Sequence, residues 1–387
     1  MPLILTEEQE MLKDSSRGFL QEKAPVAALR KLRDEKNEIG FDRGLWREMA
    51  QMGWAGIVID EDHGGVDFGY VGAGVIAEEM GRTLTASPFL STAILGATTI
   101  RKFGNAPQQD EFLPAIASGD LLMAMAVDET QKHRPAKTAL QATKSGNGFK
   151  LEGSKTFVAD GHVADKLIVA ARTSGDVGGD VGGDVGAETG ITLFLIDGAA
   201  KNLSKERSVM VDSRGAARLD FNGVEATGDD IIGEIDQGYQ LLEGILNAGR
   251  AGLAAEMSGA GQMAFEMTVD YLKERKQFGK IIGTFQALQH RAAHLYSEME
   301  LVKSANLKAL QDLDENFGFA GPTCALAKAK SGEVAKLAAL EAVQMHGGIG
   351  MTDEYDIGFY LKRIRVAQEM FGDFAFHADR LAKLRGY

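Results

Sequence analysis

The stretch that decides the fold reads RKQFGK at Arg275–Lys280 and is followed by FQALQH at Phe285–His290. It places a fixed cation and two amides near a predicted helix start. A guanidinium can bind a pyrophosphate through two hydrogen bonds, Gln286 can read a polar edge, and Phe278 offers a flat surface to an aromatic cofactor. A solvated turn and an exposed helix face would use the same residue types, so the stretch alone leaves both interpretations open.

A second segment, QMHGGIG at Gln344–Gly350, is rich in glycine. Glycines remove side chains and permit unusual dihedral angles, as is needed where backbone approaches a ligand closely. A helix C-cap would explain Gly347 and Gly348 equally well. This segment also has two interpretations when it is taken alone.

Hydrophobic patterning divides the chain into helical, β and helical parts. Residues 1–120 are rich in helix formers, and residues 121–230 contain short β-branched runs between turn residues, such as Ile191–Ile196. In residues 231–387, apolar positions recur every three or four residues, as in Phe285–Val302. This order predicts an α+β fold of three domains with these boundaries, in which the outer two domains pack together.

Composition excludes several classes of function. The 387 residues carry a formal net charge of -13, which argues against a broad basic surface for nucleic acid or an anionic membrane. The single cysteine, Cys324, excludes an internal disulfide and is typical of a small core residue. At the amino terminus, Thr6 and Gln9 have the form of a capping box, and no basic region precedes a long apolar run. We therefore expect a cytoplasmic protein without membrane spans.

One segment, Gly175 to Gly186, reads GDVGGDVGGDVG. It has too little apolar surface to pack and too much glycine to become ordered at low entropic cost. The repeat predicts a flexible loop insertion without a function of its own.

Taken together, in this order and spacing, the two segments at Arg275–His290 and Gln344–Gly350 resemble the signatures of the acyl-CoA dehydrogenase family, and the likeness covers nearly the whole chain. The resemblance implies a helical N-terminal domain, a central β-barrel-like domain and a C-terminal four-helix bundle, usually assembled as a dimer of dimers. It also implies FAD as the cofactor, an acyl-CoA as the substrate, electron-transfer flavoprotein as the acceptor, and no metal.

The resemblance assigns residues to the cofactor. Those of the C-terminal part would meet the FAD of a neighbouring subunit and are Arg275, Gln277, Phe278, Gln286, Gln344, Gly347 and Gly348. In the β domain, Phe157 and Ala159 fall where the family usually has a Trp and a Thr against the isoalloxazine. Phe157 keeps an aromatic plane and Ala159 lacks the hydroxyl. The family's usual loop before them is replaced at Val127–Arg134, so its flavin and CoA contacts are not carried over.

The family reaction removes the α-proton of an acyl-CoA with a carboxylate while the β-hydride passes to the flavin. At the position of the usual catalytic glutamate this sequence has Phe371, and at the alternate position, before Arg250, it has Gly249. Arg250 itself falls at the substrate by resemblance. Glu369, if helical, would point roughly away from residue 371. The catalytic residue is therefore unknown, and the remaining candidates are more typical of packed or surface positions: Glu243, His290, His346 and His377.

Three hypotheses follow from the missing glutamate. The first is the base-less subunit of a heteromeric acyl-CoA dehydrogenase, similar to the small subunit type associated with pimeloyl-CoA dehydrogenases, with a glutamate-bearing paralogue as partner. Its backbone N–H at residue 371 would still be available to polarise the thioester carbonyl. The second is a self-sufficient enzyme with a relocated base, or a related flavoenzyme such as a nitroalkane oxidase or flavin hydroxylase. The third is a non-catalytic flavin-binding subunit.

Overall fold

The structure is a computed structural model that describes residues 2–175 and 188–387. Of the predicted glycine-rich loop, residues 176–186 lie outside the described residues. The chain divides into two compact units. The first comprises Met1–Asp34, Tyr70–Thr85 and Arg250–Tyr387, and the second comprises Glu35–Gly69 and Ala86–Gly249. The domain boundaries at residues 120 and 230 stay a prediction.

Helices dominate both ends of the chain, as the patterning predicted. They are α1 (Glu7–Lys23), α2 (Val26–Asp34), α3 (Arg43–Gln51), α4 (Gly69–Thr83), α5 (Ala97–Phe103), α6 (Ala106–Ala117), α7 (Gly238–Glu274), α8 (Gln286–Glu315), α9 (Gly321–His346), α10 (Ile357–Glu369) and α11 (Phe374–Leu384). The predicted capping box opens α1, because the Gln9 N–H donates to the Thr6 hydroxyl at 3.3 Å and the Thr6 N–H donates to the Gln9 side chain at 2.9 Å.

The central part of the chain forms strands. They are β1 (Met123–Ala126), β2 (Gln141–Ser145), β3 (Gly148–Ala159), β4 (Lys166–Arg172), β5 (Ile191–Asp197), β6 (Leu203–Val209), β7 (Gly215–Ala226) and β8 (Ile231–Ile232), with a separate hairpin of β9 (Lys276–Gln277) and β10 (Lys280–Ile281). The first eight form one sheet in the order β6-β7-β3-β2-β4-β5-β8, with β1 beside β4. The fold class is therefore confirmed as α+β, with a central mixed sheet between helical parts of the chain.

The burial of each strand's side chains agrees with its place in the sheet. The continuous apolar runs of β4 and β5 are buried along their length, whereas the outer strand β6 alternates and is largely exposed. Most neighbours are antiparallel, but β1 and β2 both pair with β4 in parallel. Those parallel pairings were not predicted, because a period-2 pattern identifies a strand and leaves its partner undetermined.

The predicted stripe of α8 is a true core face. Leu295, Met299 and Val302 are buried and pack against Val334 and Ala338 of α9. This packing fixes α9 in the C-terminal part of the first unit. Among the described residues, no helix is long and apolar enough to cross a membrane.

Candidate functional site

The turn between α10 and α11 carries the residue at the position of the missing glutamate. Phe371 has φ +55°, in the left-handed region that non-glycine residues seldom adopt, and its side chain is buried. Gly372 follows with φ +106°, and a β-carbon there would lie 2.3 Å from the Phe376 ring. Glycine is required at 372, and the left-handed Phe371 must be held by its surroundings.

Side chains from three helices hold the carbonyl groups of this turn. The Phe371 carbonyl accepts hydrogen bonds from Arg250 Nε at 3.3 Å and from His377 Nε2 at 3.0 Å. Lys328 Nζ donates to the carbonyls of Gln368 at 3.0 Å and Gly372 at 2.9 Å. We call Arg250, Lys328 and His377 the turn cradle. It brings α7, α9 and α11 together at residue 371.

The turn cradle lies in the protein interior. Arg250 and His377 have no exposed surface, and Lys328 is 2% exposed. Burial, and to a smaller extent the nearby Arg250 charge, lower the pKa of Lys328 to about 7, against weaker opposing effects of Glu369 and Asp373. Arg250, which the resemblance placed at the substrate, is thus occupied with the Phe371 carbonyl in this structure.

The other candidate bases are not part of the turn cradle. The Glu369 side chain is 43% exposed and pairs with Arg365 at 3.0 Å one helical turn earlier. His346 donates through Nδ1 to the Ala342 carbonyl, and its ring contacts those of Tyr271 and Tyr355. His290 is exposed, and Gly249 is a buried position of α7 without a side chain. Among residues 2–175 and 188–387, no cluster of His, Cys, Asp or Glu could hold a metal ion.

The hairpin after α7 presents its candidate residues to solvent. Phe278 and Gly279 both have positive φ, as a two-residue hairpin turn requires, and the Phe278 side chain is 89% exposed. The Phe278 ring meets Phe285 edge-on with centroids 6.2 Å apart. The other candidates of this stretch are also exposed, namely Arg275, Gln277 and Gln286.

The glycine segment lies at the end of α9, beside the end of α7. Gly347 has φ +63° and donates its N–H to the Gln344 carbonyl, so it does cap the helix. At neither Gly347 nor Gly348 would a β-carbon meet any atom within 4 Å. Tyr271, one helical turn before Arg275, stacks on His346 with ring centroids 4.4 Å apart. The structure therefore brings these two segments together.

In the second unit, Phe157 occupies a bulge of β3. The register with β7 shifts between Lys155 and Val158, and Phe157 within this shift has φ +54° and is 60% exposed. Ala159, at the end of the strand, pairs with Ala216 and is half-buried. The bulge turns an aromatic ring outward between Lys155 and Val158, which are both buried.

The loop that replaces the family pattern is fastened to this bulge. Lys155, with no exposed surface, donates to the Val127 carbonyl at 3.0 Å and to Glu129 at 2.7 Å. Burial lowers the pKa of Lys155, and the charge of Glu129 opposes this shift. Asp128 accepts the Thr156 N–H at 2.7 Å through its carbonyl, and its carboxylate contacts His133 Nδ1 at 2.7 Å.

Sequence reasoning missed Lys328, Glu129 and the Asp128–His133 pair. Lys328 could have been found, because it falls four residues after Cys324 and three before Ser331, on the buried stripe of an Ala-rich helix. The loop residues carry no such period, and only the folded chain brings them to Lys155.

Comparison with known proteins shows which proteins this chain resembles in sequence and fold. The profile described as acyl-CoA dehydrogenase, N-terminal domain, matches residues 6–120, and that of the C-terminal domain matches residues 236–384. The chain is 29% identical over 371 residues to an acyl-CoA dehydrogenase of Bacillus subtilis, covering 94% of each protein. It is 27% identical over 385 residues to the mitochondrial short/branched chain specific acyl-CoA dehydrogenase of Bos taurus, covering 98% of this chain and 85% of the relative. Among solved structures, the Tcur3481-Tcur3483 steroid ACAD is similar with a TM-score of 0.86 and 30% identity, over 98% of both chains.

Proposed function

This chain belongs to the acyl-CoA dehydrogenase family of flavoprotein oxidoreductases, and we propose that it serves in the α,β-desaturation of an acyl-CoA as a subunit without the catalytic glutamate. A paralogue that carries the glutamate would complete the enzyme, and an electron-transfer flavoprotein would accept the electrons. The observation that carries this proposal is Phe371, an apolar residue in a turn that is nevertheless held by buried donors.

Phe371 cannot accept a proton, and neither Glu369 nor residue 249 supplies a carboxylate in its place. Glu369 is directed to Arg365 at the surface, and Gly249 has no side chain. A positioned base contributes about a hundredfold to ten-thousandfold to such a reaction. We therefore expect slow turnover by this chain alone, while the backbone N–H of residue 371 would still polarise a thioester carbonyl.

The residues present fit FAD. Phe157 offers an outward aromatic ring, Arg275 an exposed guanidinium suited to a pyrophosphate, and Gly347 and Gly348 leave open space beside the helix end. When bound, FAD supplies the acceptor for the substrate hydride. In the proposal, Gln277, Phe278, Gln286 and Gln344 contact the FAD of a neighbouring subunit, and Ala159 lies beside the isoalloxazine without donating a hydroxyl.

A heteromer has a counterpart among the similar structures, because the name of the Tcur3481-Tcur3483 steroid ACAD joins two proteins. The small subunit type associated with pimeloyl-CoA dehydrogenases stays part of this proposal. In this proposal a paralogue in the same assembly supplies the side chain that this chain lacks.

A self-sufficient enzyme is the second candidate, and one observation favours it. The Asp128–His133 pair, in the loop next to Phe157, has the form of a base oriented by a carboxylate. In this case His133 would move the proton, and the Asp128 carboxylate would hold its ring.

The test is purification of the chain alone and together with a glutamate-bearing paralogue, followed by assay on a series of acyl-CoA thioesters with an artificial electron acceptor. We expect the pair to be faster than the chain alone by about a hundredfold or more.

Full activity of the chain alone would defeat the proposal. If that activity were lost in His133→Gln and kept in Glu369→Gln, the second candidate would replace it. Bound FAD that no acyl-CoA perturbs, with or without the paralogue, would indicate a non-catalytic subunit.

A further inference from the structure

We propose that Lys328 is the positioning residue of the turn at residue 371, and that it maintains the left-handed conformation of this residue whichever side chain is present. The contact of Lys328 with the turn does not depend on which reaction the protein serves. Its consequence for catalysis rests on the proposed function.

The first argument is geometric. Lys328 Nζ spans the turn, because it donates to the carbonyl of Gln368 before Phe371 and to that of Gly372 after it. A single ammonium group therefore fixes the separation of the two ends of the turn. Arg250 and His377 hold the carbonyl of the residue between them. The carbonyl of residue 371 and those of residues 368 and 372 are thus held by side chains of other helices, through bonds that involve only backbone atoms of the turn.

The second argument concerns energy. Burial of a lysine is costly unless the charge is paired, and Lys155 meets this requirement with Glu129 at 2.7 Å. Lys328 is as deeply buried but has no ion pair within 4 Å among the described residues, and its ammonium contacts only backbone carbonyls. An apolar side chain of the same length would avoid the cost of burying a charge but would leave both carbonyls without these hydrogen bonds. Lys328 therefore supplies hydrogen bonds to both ends of the turn that an apolar side chain could not make.

The consequence is that residue 371 can change while its backbone does not. A left-handed conformation is unfavourable for a non-glycine residue, and the cradle supplies hydrogen bonds that offset this cost. Phe371→Glu would accordingly place a carboxylate on an unchanged backbone. Loss of Lys328 would let the turn relax and displace whichever side chain residue 371 carries.

The experiment compares Lys328→Met with Arg363→Met by amide hydrogen exchange. Arg363 is the control, because it is a buried cation that donates to the backbone carbonyls of Leu84 and Thr85 and pairs with Glu256 at 3.1 Å, all of which lie outside the turn. In Lys328→Met we expect the amides of residues 371–373 to exchange about tenfold faster or more, beyond any global change in stability. In Arg363→Met we expect only the global change. Equal exchange at the turn in the two variants would overturn the proposal.

Catalytic positioning is tested in the Phe371→Glu background with FAD-loaded protein. We expect Phe371→Glu to dehydrogenate an acyl-CoA without a partner, and addition of Lys328→Met to lower kcat about tenfold to a hundredfold with KM little changed, because a displacement of about 1 Å has an effect of this size. Lys328→Gln, which keeps a donor, should restore part of the loss. It also replaces the Met variant in this test if that variant does not fold.

An inactive Phe371→Glu would count against the proposed function, while hydrogen exchange would still decide the role of Lys328. An active Phe371→Glu that Lys328→Met does not slow would refute positioning.

Discussion

At position 371 the side chain and the backbone conformation depend on different residues, Phe371 and Lys328. The ring of Phe371 fills a buried site and offers no proton acceptor, whereas Lys328 holds the backbone around it. The family assignment does not depend on this one residue, because the family profiles match residues 6–120 and 236–384.

The pKa of Lys328 leads to a prediction of pH dependence. The pKa is about 7 in the folded chain, against an ordinary value of 10.5. Between these values the unfolded chain binds a proton that the folded chain lacks, so the free energy of unfolding rises with pH in this window, by at most about 1.4 kcal/mol per pH unit from this group. Lys328→Met removes this contribution. We expect the stability of the wild type relative to Lys328→Met, from urea unfolding, to increase from pH 7 to pH 9. A constant difference would show that Lys328 has an ordinary pKa.

Two helices of the first unit cross at a contact that admits only glycine. A β-carbon at Gly81 of α4 would lie 2.0 Å from the Glu256 carbonyl oxygen, and one at Gly259 of α7 would lie 1.8 Å from the Glu78 carbonyl oxygen. Each helix thus places a bare backbone against the other. Such a contact fixes the separation of α4 and α7, and α7 contributes Arg250 to the turn cradle.

Substitution at this crossing gives a prediction with an internal control. We expect Gly81→Ala to lower the free energy of unfolding by about 1–3 kcal/mol, because overpacking forces backbone shifts. Gly18 lies within α1, and a β-carbon there would meet no atom within 4 Å, so Gly18→Ala should instead raise it by up to about 1 kcal/mol. Thermal or denaturant unfolding of both variants checks the pair. Similar effects of the two substitutions would mean that the helices are not in close contact at Gly81.

For the whole molecule, the exposed candidate residues of the hairpin and glycine segment suggest that FAD binding depends on assembly. If they serve the FAD of a neighbouring subunit, the ratio of FAD to chain should fall as the oligomer dissociates on dilution. Phe278→Ala should lower this ratio, whereas Phe319→Ala, which removes another strongly exposed ring, should not. Flavin absorbance and light scattering after size exclusion measure both quantities. Retention of FAD by a monomer would contradict shared binding.

Local features were predictable to the residue. The capping box at Thr6, the buried stripe of α8 and the cap at Gly347 all depend on neighbours within a few positions, so the sequence contains the whole interaction. The replacement of the usual glutamate by Phe371 could also be predicted, because the spacing of the motifs locates position 371. By contrast, the bulge at Phe157 was not predicted, since it arises from register with another strand.

The sequence by itself determined the family, the α+β class and the absence of a carboxylate at residues 371 and 249, because periodicity and motif spacing are properties of the linear chain. Only the tertiary structure decided that Arg250, Lys328 and His377 converge on the turn at Phe371. It also decided that Lys155 pairs with Glu129 of the loop Val127–Arg134. Except for the bond from His377 to Phe371, these contacts join residues 26 or more positions apart in sequence, and their energies depend on burial. Burial is set only when the helices and strands have packed.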